Sequence, residues 1–129
     1  MTRSDGLLGV RKDHVVQLLG YDTDCDDTVV AAVADAAGVD PVNEDHDDVV
    51  DVVLLWWRDD DGDLVDALLD ATTLLDERGQ IWVLTPKLGR DGHVEPEDLS
   101  EAGPTSGLRS TGTIDAATDW NATRFVGRS

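Results

Sequence analysis

One cysteine, Cys25, stands among 129 residues, so no intrachain disulfide framework is available. No uninterrupted apolar run exceeds six residues, against the roughly 20 that a bilayer-spanning helix needs. Residues 1–12 lack the long apolar core of a secretory signal, which makes the cytoplasm the expected compartment. Lysine is nearly missing too. Only Lys12 and Lys87 occur, and 10 basic residues face 28 acidic ones for a formal charge of −18. Such a chain repels nucleic-acid backbones and anionic membranes, so neither is an expected partner. Aspartate supplies most of the acid, a balance that high-GC codon usage or adaptation to salt would each produce. Its main expected role is solvation, and its remaining use is an acidic face for a basic protein partner of unknown identity.

Several catalytic patterns are missing as well. No G-x-x-x-x-G-K-[ST] cradle occurs, and no serine lies in a G-x-S-x-G elbow. His14, His46 and His93 form neither H-x-x-x-H nor H-E-x-x-H. Asp22-x-Asp24-x-Asp26 opens like an EF-hand loop, but Asp27 stands where that loop needs glycine and Val33 where it needs a bidentate glutamate. The second acidic run, Asp59 to Asp63, fits no better. Helix capping and solvation account for both runs, and no metal or cofactor is expected. Cys25 lies at a helix start, which lowers a thiol pKa, yet neighbouring carboxylates raise it, so no nucleophile stands out.

What is present is a repeating strand–helix pattern. Val49 to Trp57 is apolar except for Asp51 and rich in β-branched residues, as in a strand covered on both faces. Asp63 caps a helix whose Leu64, Leu68, Ala71 and Leu75 share a stripe, closed by Arg78-Gly79. Gln80 to Thr85 is the next strand, stopped by Pro86. A right-handed crossover places these two strands side by side and parallel. Upstream, His14 to Tyr21 reads as the first strand and Thr28 to Ala37 as a helix ending at Gly38, with Asp24 and Asp26 as spare capping carboxylates. Val39 and Val42 suggest a short edge strand limited by Pro41. Downstream, Glu95-Pro96 starts a helix reaching about Gly103. Arg109 to Ala117 and Asn121 to Arg128 form a closing antiparallel hairpin around Asp119-Trp120. Trp56, Trp57, Trp82 and Trp120 read as core residues; Trp56 and Trp57 face opposite ways, one of them partly exposed at the strand end.

The expected architecture is therefore α/β: a small three-layer Rossmann-like sandwich whose mixed sheet has a parallel centre and a C-terminal antiparallel hairpin. Residues 1–12 form a short arm, with Leu7, Leu8 and Val10 tucked against the body, and residues 13–129 a single domain.

The segments LGVRKDHVVQLLGYDTDCDD, DDVVDVVLLWWRDDDGDLVDAL, IWVLTPKLGRDGHVEP and the final DWNATRFV resemble the bacterial family called domain of unknown function 3052 (DUF3052), in its high-GC Gram-positive form, from about Leu7 to Val126. That resemblance implies no activity, cofactor or catalytic residue. The order from Val49 onward is also similar to the second half of class I S-adenosylmethionine methyltransferases. Those enzymes carry a glycine-rich turn after their first strand and an acidic ribose contact after their second. This chain has DTDCDD at the first place and too few residues for the second unit, so the likeness implies the fold and argues against the reaction.

Strand direction names the candidate site. If the strands ending at Tyr21, Arg58 and Thr85 are parallel, their following loops share the carboxyl edge of the sheet, where open α/β folds bind ligands. That edge would bring Asp22, Asp24, Asp26, Asp59 and Asp61 together with Lys87, Arg90 and His93. The basic residues would either clasp the aspartates or present a mixed-charge surface. The leading reading is a non-catalytic regulatory or accessory module acting through protein contact. The alternative is a small-molecule or weak-cation binding protein, or a minor enzyme, using the same edge.

Overall fold

A computed structural model describes residues 10–127. Leu7, Leu8 and Arg128 lie outside them, whereas Val10 is buried in the core. The elements run β1 (Val16–Leu19), α1 (Asp27–Ala37), β2 (Val50–Trp56), α2 (Leu64–Thr72), β3 (Leu75–Pro86), α3 (Pro96–Thr105), β4 (Leu108–Asp115) and β5 (Trp120–Gly127). Their strands form one mixed sheet in the order β1-β2-β3-β5-β4. β1, β2 and β3 are parallel, and β5 pairs antiparallel with both β3 and β4. No helix among the described residues is long and apolar enough to cross a membrane.

The continuous apolar run of β2 supplies both faces of this sheet. Val52, Leu54 and Trp56 join Val29, Val33 and Ala37 of α1 in one core. Val53, Leu55 and Trp57 join Leu68 and Ala71 of α2 and Leu99 and Ala102 of α3 in the other. Helices on both faces of a mixed sheet make the expected three-layer Rossmann-like sandwich. Trp56 and Trp57 do fall on opposite faces. Neither is partly exposed, however: Trp57 retains only 8% of its surface. Val94 and Leu99 share its core and roof the end of the strand.

Several boundaries differ from the sequence reading. β1 is four residues long, because Gly20 leaves the extended region at φ 74°. The crossover helix stops at Thr72 instead of reaching Arg78-Gly79. The Thr72 hydroxyl donates to the Leu69 carbonyl at 2.7 Å, a local bond that competes with helix continuation. Leu75 then belongs to β3, paired with Val50, and the ladder resumes at Gln80 opposite Val52. Asp76 to Gly79 therefore form a bulge, in which Asp76 Oδ1 accepts from Arg78 N at 2.9 Å. α3 runs through Pro104 to Thr105, and the Gly112 irregularity bends β4. The suspected edge strand is a single parallel bridge, Gln17 to Val42.

Candidate functional site

The parallel strands deliver the turns after Leu19, Trp56 and Pro86 to one edge. β1 has Val42 on its outer side and β2 on its inner side, so the chain departs in opposite directions on either side of β1. Open α/β sheets bind ligands at such a switch point, outside the carboxyl ends of the strands. A cleft of about 480 Å³ lies there, lined by Gly20, Tyr21, Glu44, Trp56, Arg58 and Asp61 among others. Next to it, Asp22, Asp24, Arg58, Asp60, Asp61 and Asp91 line a second depression, uniting all three loops. Asp59 N donates to Gly92 O at 2.9 Å and ties the second loop to the third.

Arg58 is the centre of this edge. It ends the apolar run of β2, where its side chain has nowhere to go but across the strand ends. Nε donates to Asp24 Oδ2 at 3.0 Å while Nη2 engages Asp24 Oδ1, a bidentate fork. Nη1 donates to Gly20 O at 2.8 Å and Trp56 O at 3.2 Å, and reaches Asp61 Oδ2 at 3.4 Å. Its guanidinium also lies 5.5 Å from the ring centre of Trp120. With only 13% of its side chain exposed, it is held on every side. The Asp24 carboxylate fixes its charge and pushes its pKa up, and Arg58 in turn holds Asp24 below the ordinary carboxylate value.

The other expected site residues divide. Asp26 caps α1 by accepting from Thr28 N at 2.9 Å, whereas Asp24 caps nothing and serves Arg58. Asp61 Oδ2 accepts from Arg58 N at 2.9 Å and shapes its own loop. The basic residues do not clasp the acidic loops. Lys87 Nζ pairs with Asp115 at 2.8 Å, and Arg90 pairs with Asp119. His93 Nδ1 lies 2.9 Å from Pro86 O and Nε2 lies 3.3 Å from Glu95. Lys87 N continues the β3–β5 ladder by donating to Asp119 O at 2.9 Å, which carries this stretch toward the hairpin. A clasp exists, but Arg58 makes it.

Two further groups complete the edge. Cys25 Sγ accepts from Arg58 Nη2 at 3.2 Å and from Asp22 N at 3.3 Å, and burial pushes its thiol pKa up. The Tyr21 hydroxyl donates to Asp27 Oδ1, and that bond raises its pKa to about 12. Glu44, absent from the sequence reading, follows the Val42 bridge and accepts from Gly20 N at 3.0 Å through Oε2. The second unit is thus reduced to one bridge and one carboxylate.

The whole described chain, from Val10 through the sheet to Gly127, falls within a match over residues 6–129 to the family described as protein of unknown function (DUF3052). The chain belongs to the DUF3052 family. An uncharacterised protein of Mycobacterium tuberculosis is 50% identical over 119 residues, covering 92% of this chain and 75% of the relative. An uncharacterised protein of Mycobacterium bovis matches equally. Solved structures give the fold. The pyocyanin biosynthetic protein PhzM superposes with a TM-score of 0.68 at 12% identity over 95% of this chain and 52% of that one. The CcbJ methyltransferase of Streptomyces caelestis gives 0.58 at 11% identity, covering 91% and 84%. Magnesium protoporphyrin IX methyltransferase of Synechocystis, solved with bound SAM, gives 0.54 at 12% identity, covering 92% and 71%. The likeness spans β1 and α1 as well as the half from Val49 onward, so this DUF3052 chain has the methyltransferase-type Rossmann fold.

S-adenosylmethionine does not fit the residues at this edge. In the DUF3052 chain the turn after β1 carries Asp22, Asp24, Asp26 and Asp27 where an amino-acid carboxylate would approach. Arg58, the cation that would answer that carboxylate, is neutralised by Asp24 and Asp61.

Proposed function

We propose that this DUF3052 domain works without catalysis, as a regulatory or accessory module that meets a basic protein partner through the carboxyl edge of its sheet. The observation that carries the reading is the Arg58 fork. It commits the switch point of a methyltransferase-type fold to the protein's own carboxylate and carbonyl groups. What the edge leaves outward is mainly acidic: Asp22, Asp59, Asp60 and Asp91 are all exposed, and the exposed Arg90 is paired with Asp119. Such a surface accelerates encounter with a basic face and loses that advantage as salt screens it.

The test compares capture from the native cell by the wild-type chain and by Asp60→Asn combined with Asp91→Asn. The proposal expects a partner whose capture weakens with added salt and is lost in the variant at unchanged urea midpoint. Equal capture by both chains would refute it. A calorimetric titration with S-adenosylmethionine should show no binding, and a micromolar constant would overturn the non-catalytic reading directly.

A further inference from the structure

The opposite edge of the sheet holds a second cavity of different character. About 600 Å³ in volume, it lies where β1, β2 and β3 begin and is lined by Arg11, His14, Asp51, Asp76, Arg78, Gln80, Trp82 and Arg124. Three of the chain's ten basic residues thus line one pocket of a protein whose formal charge is −18. Folding has concentrated cations here that composition makes scarce.

The partners of these residues decide what the pocket attracts. Arg124 stands opposite Trp82 in the β3–β5 ladder. It donates from Nε to Gln80 Oε1 at 2.6 Å and from Nη1 to Thr111 Oγ1 at 3.2 Å, both uncharged acceptors. A guanidinium has five N–H donors, so most of its fork is still to be used. Arg78 sits on the β3 bulge with its side chain exposed. Among the described residues neither Arg78 nor Arg124 forms an ion pair, in contrast to Arg58, Lys87 and Arg90. The two carboxylates that share the lining are directed to backbone donors: Asp51 Oδ2 accepts from Val15 N at 2.8 Å, and Asp76 Oδ1 from Arg78 N at 2.9 Å. His14 Nδ1 accepts from Arg11 N at 3.1 Å, which places the proton of its neutral ring on Nε2 as one more donor.

We propose that this amino-edge pocket binds a soluble small molecule through its phosphate group. Guanidinium forks match tetrahedral oxyanions bidentately, and two forks approaching with a histidine donor suit a group with several acceptor oxygens better than a single carboxylate. A cavity of this size exceeds an inorganic phosphate ion and so admits an organic body attached to it. The negative field of the rest of the molecule is screened within about 8 Å at physiological salt, so the local cations decide affinity. That same field keeps the protein off anionic membranes, which commits the proposal to a free ligand.

Pyrophosphate is the probe. Calorimetry at physiological ionic strength should show one site per chain, with a matching rise in melting temperature. Arg78→Gln and Arg124→Gln should each weaken binding roughly tenfold, the worth of a charged hydrogen bond, while Arg109→Gln leaves it unchanged. Arg78→Gln is the safeguard against misfolding, because its side chain is exposed and holds no described partner. Nuclear magnetic resonance should place the perturbed amides at residues 76–82 and 124. Absence of binding to the wild type, binding by both variants as tight as by the wild type, or perturbations confined to the carboxyl edge would each overturn the proposal. So would co-sedimentation with phosphatidic acid vesicles in place of binding to the free anion.

Discussion

Arg58 Nε and Asp24 Oδ2 lie 3.0 Å apart although 34 positions separate the residues in sequence. The pair locks the β1–α1 turn to the end of β2, and its two halves differ in exposure: 13% of the Arg58 side chain is open to solvent against 55% of Asp24. The costs of removal should differ likewise. Arg58→Gln strands the Gly20 and Trp56 carbonyls and should cost about 2 to 3 kcal/mol. Asp24→Asn removes a partner that water replaces, for about 1 kcal/mol or less. Urea denaturation of the two variants measures both, and equal losses would mean that the carbonyl bonds contribute nothing.

The same pair sets an acid limb. Because Arg58 holds the Asp24 pKa below its ordinary value, its contribution is complete above the unfolded carboxylate value near 4 and disappears as pH falls through the lowered one. Arg58→Gln should flatten stability against pH below about 4. At the alkaline end the sign reverses. The Asp27 bond raises Tyr21 to about 12, so stability falls between the unfolded tyrosine value near 10 and that value. Tyr21→Phe should remove that limb and leave the acid one intact.

Leu68 and Val53 are both fully buried, one on α2 and the other on β2 beneath it. Leu68→Ala should cost about 2 to 5 kcal/mol. A urea-measured loss under about 1 kcal/mol would mean that α2 does not seal this face.

Gly20 and Gly38 both have positive φ, 74° and 80°, yet they answer different needs. A Cβ at Gly38 meets nothing within 4 Å, whereas one at Gly20 meets Trp56 O at 2.5 Å. Asparagine tolerates the left-handed region, so Gly38→Asn should be nearly neutral. Gly20→Asn should cost about 1 to 3 kcal/mol, since a carbonyl of the neighbouring strand has to move. Thermal denaturation of the two variants side by side is the check.

The central unit was legible because its signals are local. β-branched periodicity marks β2, and Asp63 caps α2 by accepting from Val65 N. The bulge was not legible, because Leu75 continues the apolar stripe of α2 and Gly79 looks like a helix stop. What places Leu75 in β3 is its pairing with Val50, and a Cβ on Gly79 would lie 2.7 Å from Asp51 O, a contact no local pattern encodes. The carboxyl edge followed from strand direction alone, whereas its electrostatics did not. Lys87, Arg90 and His93 were the concentrated basic loop in sequence, but Asp115 and Asp119 of the hairpin hold the first two, and Glu95 and Pro86 O hold His93. One signal for Arg58 was present: it is the only lysine or arginine between Lys12 and Arg78, set between an apolar run and an acidic one.

The two open margins of the sheet bear on self-association. β1 is shielded by Val42, which spends Leu18 N and Val16 O on bonds of 2.9 and 2.8 Å, and Pro41 beside it has no N–H to extend the row. Among the described residues β4 has no such shield. Its defence is composition and shape: a break in register at Gly112, and a mostly polar, exposed strand ending in Asp115. Ile114 is the exposed large apolar side chain on that margin, and the carboxylate of Asp115 stands next to it. A break in register, a mostly polar face and the terminal carboxylate thus make the β4 margin a poor template for strand-to-strand pairing.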